Sequence, residues 1–363
     1  MSVTQNFFGK MPDGQIVDRY LLRNRNGCRA GLITFGAAIQ LLEVPDKNGE
    51  FKDVVLGYPD LAGYLGPTNP RHGATIGRVA NRVRNGRFDL DGKIIELSKN
   101  KEPNHMHGGF KSFDKRVWTA KILSDGETPC EDPAVRFTLL SWDGEEGYPG
   151  NLTINLTYTL TADNALRLDY EALPDQVTAI NLTNHVYFNL RGHDHSDISG
   201  HILKLAADHF TVIDENSYPT GEIRPVMGTA LDFTRPKPIG QDIDADDEQL
   251  RFAKGYDFNY VLRGDLSRQA ESVLKPCALV VEPWSGRMMT VETTSPGVQL
   301  YTANNMKPGD VGKDGAPYLT RGSFCLETQH FPDAVNHANF PSPIYRPGEA
   351  FRHTTVYRFG VTK

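Results

Sequence analysis

The sequence predicts an all-β protein, a large two-sheet antiparallel β-sandwich, and three observations carry that prediction. First, Leu152, Ile154, Leu156, Tyr158 and Leu160 alternate with Thr153, Asn155, Thr157 and Thr159, and after the turn residues Ala162-Asp163-Asn164 the alternation resumes at Leu166, Leu168, Tyr170 and Ala172. Successive side chains of a strand point to opposite faces, so this is a hairpin of half-buried antiparallel strands. Second, short apolar runs bounded by turn residues recur along most of the chain. Third, only Asp242 to Ala253, with Asp246, Asp247 and Glu248 in its first turn, reads as a helix. There is no fixed-period repeat, low-complexity tract or linker, so residues 1–363 are expected to form a single domain.

In order, Ile16 to Val44 is a series of apolar runs broken by Asn24, Asn26, Gly27, Gly31 and Gly36, the grain of strands and turns. Asp46 to Gly49 is a turn, Val54 to Leu56 resumes a strand, and the Gly-, Pro- and Asn-rich stretch from Gly57 to Gly73 is expected to run over the surface. Further short strands are expected at Val135 to Trp142, Ile202 to Leu205 and Ala278 to Glu282.

Composition excludes several function classes. A net charge of −6 over 363 residues argues against nucleic acid, whose binders carry a basic surface. Met1 to Gly14 lacks the basic start and apolar run of a signal segment, and no later stretch is apolar enough to span a bilayer, so the cytoplasm is expected, with no membrane partner. Cys28, Cys130, Cys277 and Cys325 are widely spaced and form no CxxC pair, which suggests reduced, mostly buried thiols.

Candidate chemistry lies on strands with two contrasting faces. From Asn181 to Leu190, read as one strand, Ile180, Leu182, Val186, Phe188 and Leu190 form an apolar face. Asn181, Thr183, His185, Tyr187 and Asn189 form a polar face without a single formal charge, which suits a neutral, hydroxyl-rich ligand. Gln299 and Tyr301 oppose Val298 and Leu300 in the same way. Glu327 is a lone carboxylate sharing its strand face with Ser323, Cys325 and Gln329. Upstream, Asn81 and Arg82 lie side by side in a small, apolar segment, and the planar guanidinium makes Arg82 a candidate donor to sugar oxygens. Asp257 sits among Tyr256, Phe258 and Tyr260, rings that could floor a sugar. His105 and His107 share one face if extended, as cupin-type metal sites begin, but no carboxylate stands close by in sequence except Asp114, so no metal is expected. One carboxylate, two histidines and a set of amide and guanidinium donors, with no activated Ser or Cys, make an acid–base site without a nucleophile.

Six stretches resemble the aldose 1-epimerase, or galactose mutarotase, family: GATIGRVANRV at Gly73 to Val83, NHMHGG at Asn104 to Gly109, NLTNHVYFNL at Asn181 to Leu190, GYDFNYVL at Gly255 to Leu262, PGVQLYTAN at Pro296 to Asn304, and CLETQHFPDAVN at Cys325 to Asn336. They occur in order over most of the chain. The resemblance implies a cofactor-free enzyme with an open cleft that interconverts the α and β anomers of free aldoses such as galactose or glucose, as a monomer or homodimer. It implies that Glu327 is the base on the C1 hydroxyl and that His185 protonates the ring oxygen. It places His107 near the ring oxygen and C1, and Asn81, Arg82, Asp257 and Gln299 on the sugar hydroxyls. Ordinary pKa values of about 4.3 for Glu and 6.5 for His would leave both partners correctly charged near neutrality. His72, Met106, Val186 and Phe258 depart from the family's pattern, and Val186 and Phe258 bear on sugar preference. Two alternatives are a hexose-6-phosphate 1-epimerase of the same fold, with a phosphate pocket built from the Arg71 to Arg87 run, and a catalytically silent carbohydrate-binding module.

Overall fold

The computed structural model describes residues 1–125, 132–267 and 272–362; Cys130 lies outside them. One layer is a nine-stranded sheet. Its spatial order is Thr119–Ser124, Ala134–Ser141, Leu152–Leu160, Ala165–Pro174, Phe351–Val361, Arg287–Thr293, Lys275–Val281, Ile202–Leu205 and Lys237–Pro238, and every pairing is antiparallel. The expected hairpin pairs Leu156 with Tyr170 and Leu160 with Leu166. Its apolar positions are buried while Thr153 is exposed, so the alternation read from sequence is the alternation of burial.

The opposing layer is divided. One five-stranded sheet, Ser2–Lys10, Ile16–Arg23, Arg29–Ile33, Ala38–Pro45 and Phe51–Asp53, runs in chain order. The other runs Pro219–Pro225, Ala207–Ile213, Asp257–Leu262, Gly297–Tyr301 and Cys325–Gln329. Both pack on the same face of the nine-stranded sheet. Tyr20 meets Phe137 edge-on at 6.0 Å, the Tyr158 hydroxyl donates to the Ala37 carbonyl at 2.7 Å, and Tyr357 donates to the Leu326 carbonyl at 3.2 Å. Side chains from all three sheets share one apolar cluster. Each large side chain fully buried there contributes about 1.5–3 kcal/mol.

Three sequence expectations need correction. Asn181 to Leu190 is not one strand: Thr183–Asn184 pairs with Thr75–Ile76, while Asn181 bridges Val79 and Phe188 bridges Val55 and Phe324 separately. Both of its faces are buried because it threads between the two halves of the divided layer. The helix at Asp242 to Ala253 shrinks to Glu248–Ala253, since Asp247 is its cap, accepting from the N–H groups of Gln249 and Leu250, and the aspartates before it favour turns over helix. Between Gly57 and Gly73 a short helix, Leu61–Leu65, is capped by Asp60, and Tyr58, Leu61 and Tyr64 are buried rather than on the surface. Cys28, Cys277 and Cys325 are free and buried, as expected. Among the described residues no helix is long and apolar enough to cross a membrane.

Candidate active site

The second five-stranded sheet turns a polar face to a cleft of about 860 Å³. Its register puts Gln299 opposite Glu327 and Asp257 opposite Tyr301. Alternation sends Phe258, Tyr260, Leu300 and Leu326 into the core and leaves Asp257, Gln299, Cys325 and Glu327 on the other side. Tyr256, Phe258 and Tyr260 are therefore core rings and not a sugar floor; Val186 is also core, so neither departure from the family's pattern at 186 or 258 lines the cleft. The aromatic rings that do line it, besides the histidines, are Tyr187, Tyr218, Phe252 and Tyr301.

Two backbone segments bring the histidines to Glu327. The His185 N–H donates to the Ala74 carbonyl at 2.8 Å and its carbonyl accepts from Gly73 N–H at 3.0 Å, which aims the imidazole at the carboxylate, with Nε2 3.6 Å from Glu327 Oε1. Tyr187 stacks beneath that ring at 5.0 Å. The amides of the same stretch do something else. Asn181 holds the His330 backbone, Asn184 the Gly73 carbonyl, and Asn189 the Gly322 carbonyl, so they tie down an irregular segment and only His185 and Tyr187 reach the cleft.

Arg82–Val83 pairs with His105–Met106, which places Asn81 beside His107. Both have left-handed backbone, φ 61° and 49°, a conformation that costs energy for a residue with a Cβ and concentrates at functional sites. They are locked reciprocally: His107 N–H donates to the Asn81 carbonyl at 2.7 Å, and Asn81 N–H donates to His107 Nδ1 at 3.2 Å. The turn at His107 also separates the two histidines expected to share a face. His105 is buried away from the cleft, with Nδ1 2.6 Å from the Ser98 carbonyl and Nε2 2.8 Å from the Tyr148 hydroxyl.

Arg82 donates to Asn81 Oδ1 at 3.0 Å and to Asp257 Oδ2 at 3.1 Å, and Gln299 donates to Asp257 Oδ1 at 2.6 Å. Gln299 is thus buried behind Asp257, while Asn81, Arg82, His107, His185, Asp257 and Glu327 all line the cleft. Sequence reasoning passed over Arg71, which also lines the cleft and whose charge acts on both histidines and on Glu327. Its lone signal was membership of an arginine-rich run. Members of that run are already engaged by the protein, Arg71 facing Asp114 at 3.6 Å. Arg78 is buried on the carbonyls of Pro149 and Gly150, Arg84 pairs with Asp214 at 2.7 Å, and Arg82 is engaged by Asp257.

The electrostatics depart from the ordinary values assumed from sequence. Burial, with the charge of Asp257 adding to it, pushes the Glu327 carboxyl up to about 8, against the opposing pull of Arg82 and Arg71. Burial and then Arg71 push His185 down to about 3. The pair therefore shares one titrating proton between those limits, held on Glu327 when the site is empty. Glu327 Oε2 is buried without a hydrogen-bond partner in the protein, on a side chain that lines the cleft. Burial, followed by Arg71 and His185, holds His107 well below the usual histidine range, so it is neutral.

Donor atoms of His107, His185 and Glu327 lie within 4.8 Å of one another, so the carboxylate missing locally from the sequence for a metal site arrives from a distant strand. The chemistry of His107 opposes a metal nonetheless. Its Nδ1 accepts from a backbone N–H, so the proton of the neutral ring sits on Nε2, the atom a metal would need bare. His107 instead presents a fixed Nε2–H donor.

Comparison with known proteins agrees with this architecture. The aldose 1-epimerase family model matches residues 18–358. The galactose mutarotase of Homo sapiens is 44% identical over 361 residues, covering 99% of each chain, and the aldose 1-epimerase of Escherichia coli (strain K12) is 36% identical over 361 residues, covering 96% of each. Among solved structures, galactose 1-epimerase from Lactobacillus acidophilus NCFM has a TM-score of 0.85 at 27% identity, covering 100% of both chains. The aldose epimerase homologue from C. elegans has a TM-score of 0.83 at 28% identity, covering 99% of this chain and 100% of that one. A divided β-sandwich whose one polar sheet face brings two histidines to a buried glutamate, matched in sequence and fold from end to end, makes this chain a member of the aldose 1-epimerase family.

Proposed function

We propose that the chain, acting as one domain, is an aldose 1-epimerase that interconverts the α and β anomers of a free monosaccharide, galactose or glucose being the first candidates. The observation that carries the reading is the buried Glu327–His185 pair, open to a cleft where Arg82 and Asp257 already neutralise each other. Once the shared proton has moved from Glu327 to Nε2 of His185, Glu327 takes the proton of the C1 hydroxyl as the C1–O5 bond breaks, and His185 delivers its Nε2 proton to O5. The electron pair of the O1–H bond becomes the aldehyde π bond, and that of C1–O5 remains on O5. Rotation about C1–C2 and reclosure with the roles exchanged gives the other anomer. The Nε2–H of His107 donates to an oxygen at C1 or in the ring. Arg82, Asn81 and Asp257 hold hydroxyls, with Gln299 fixing Asp257. Polarimetry of freshly dissolved α-galactose and α-glucose, with and without EDTA, tests this: accelerated and chelator-insensitive mutarotation is expected. Turnover confined to 6-phosphorylated hexoses would favour the alternative substrate class instead.

Two further outcomes are expected. Arg82→Ala should lose about 1.5–3 kcal/mol in kcat/KM for free sugars, the range for a hydrogen bond from a charged group, because it also leaves Asp257 without its cation. The pH profile should follow the proton of the pair. Activity needs the singly protonated pair, so kcat/KM should fall as pH rises through about 8, where Glu327 surrenders that proton, and Glu327→Gln should abolish the alkaline limb in whatever activity remains. This reverses the assignment that ordinary pKa values would give, with histidine on the alkaline side.

A further inference from the structure

We propose that Cys325 is a positioning residue for proton transfer by His185: its sulfur accepts a hydrogen bond from Nδ1–H of the imidazole, keeps that proton in place, and leaves Nε2 as the nitrogen that gives and takes protons. The inference rests on the acid–base reading of the site. Cys325 Sγ lies 3.6 Å from His185 Nδ1, within reach of a sulfur hydrogen bond, and both side chains are buried. Cys325 and Glu327 stand two apart on one strand and so share a face, which fixes the anchor of the ring and the carboxylate it works with at a constant spacing.

Only one nitrogen of His185 can exchange protons with the cleft. Nε2 faces Glu327, so Nε2 is the exchanging atom. Nδ1 must then keep its proton through the cycle, in the imidazolium and in the neutral ring left after a proton is delivered to O5. The surroundings of Nδ1 favour that form. Besides the sulfur, the backbone carbonyl of His185 itself acts on the ring as an acceptor, and a carbonyl has no proton to offer. His107 shows the opposite arrangement, with Nδ1 accepting from Asn81 N–H, so its Nε2–H is permanent and it cannot shuttle. The two histidines are thereby given different tasks by their Nδ1 partners alone.

The identity of the acceptor matters for acidity. A carboxylate at Nδ1, as in a Ser-His-Asp arrangement, stabilises the imidazolium and makes the ring a weaker acid. A neutral sulfur is a weak acceptor, so it orients the ring without doing so. Burial pushes the Cys325 thiol well above its ordinary value, which keeps thiolate out of the site. The other titratable or charged groups around the ring are Glu327, His107, Tyr187, Tyr301, Arg71 and His72.

The test is nitrogen-15 NMR of the full-length, histidine-labelled protein, with the His185 signals assigned as those lost in His185→Asn, combined with kinetics of Cys325→Ser and Cys325→Ala. Wild type at neutral pH should show Nδ1 protonated and Nε2 bare. Cys325→Ser, whose hydroxyl oxygen accepts more strongly, should keep that tautomer and raise the titration of His185 by about half a pH unit or more. Cys325→Ala should lose roughly ten- to a hundredfold in kcat, by analogy with the loss when the partner that orients a metal-bound imidazole is removed, with KM nearly unchanged. A wild-type His185 carrying its proton on Nε2 overturns the proposal, as does a Ser variant whose His185 titrates like wild type. If Ala at 325 fails to fold, these two readings decide it. The tautomer is read without turnover, so an active wild type with Nε2–H sinks this inference alone, whereas an inactive wild type sinks the reading beneath it.

Discussion

Glu327→Gln is expected to lower kcat by about 10² to 10⁴ while KM stays within a few-fold, the contribution typical of a positioned acid–base group. Glutamine has nearly the same shape and still offers an oxygen toward the cleft, so sugar contacts survive, but it cannot take the proton from O1. The fold should survive as well. Because burial raises the Glu327 carboxyl from 4.5 to about 8, the folded state holds this proton more tightly than the unfolded chain does. Its contribution to stability is fully present below pH 4.5 and is lost as pH rises through about 8. Thermal melts should thus show the Gln variant gaining on wild type as pH rises from 4.5 to about 8. A variant with wild-type turnover and only a raised KM would remove Glu327 as the base and make Asp257, on the same sheet face, the next candidate.

His185→Asn is the second large effect, with an expected kcat loss of similar size, about 10² to 10⁴. Asparagine can still hydrogen-bond O5 but cannot supply a proton to it. The loss should be in turnover, since the proposed binding groups Arg82, Asp257 and Asn81 are left in place. Progress curves followed by polarimetry give kcat and KM separately, and a loss confined to KM would reassign His185 to binding.

Much of this site was legible because the strands that carry it obey simple alternation. Glu327 and Gln299 were placed on polar faces from period-two patterning, and the sheet register brings those faces together with that of Asp257. The failures have specific causes. The stretch from Asn181 to Leu190 alternates like a strand, yet its amides are used to anchor backbone between two sheets, which no local pattern reveals. The two histidines at 105 and 107 were expected on one face, but a left-handed turn at His107 parts them. Aromatic residues around Asp257 alternate into the core, so counting rings near an acid misled where counting faces would not have. The Arg82–Asp257 pair joins residues 175 apart, and the opposed shifts of Glu327 and His185 depend on burial that only the assembled fold creates.

Glu327 and His185 are proposed to act as one unit on one shared proton, and the double variant Glu327→Gln/His185→Asn decides whether they do. Its kcat should lie close to that of the worse single variant, because removing either partner already disables the exchange and little remains for the second change to remove. A double-variant kcat equal to the product of the two single losses would mean that the groups act independently, and would contradict the shared-proton mechanism.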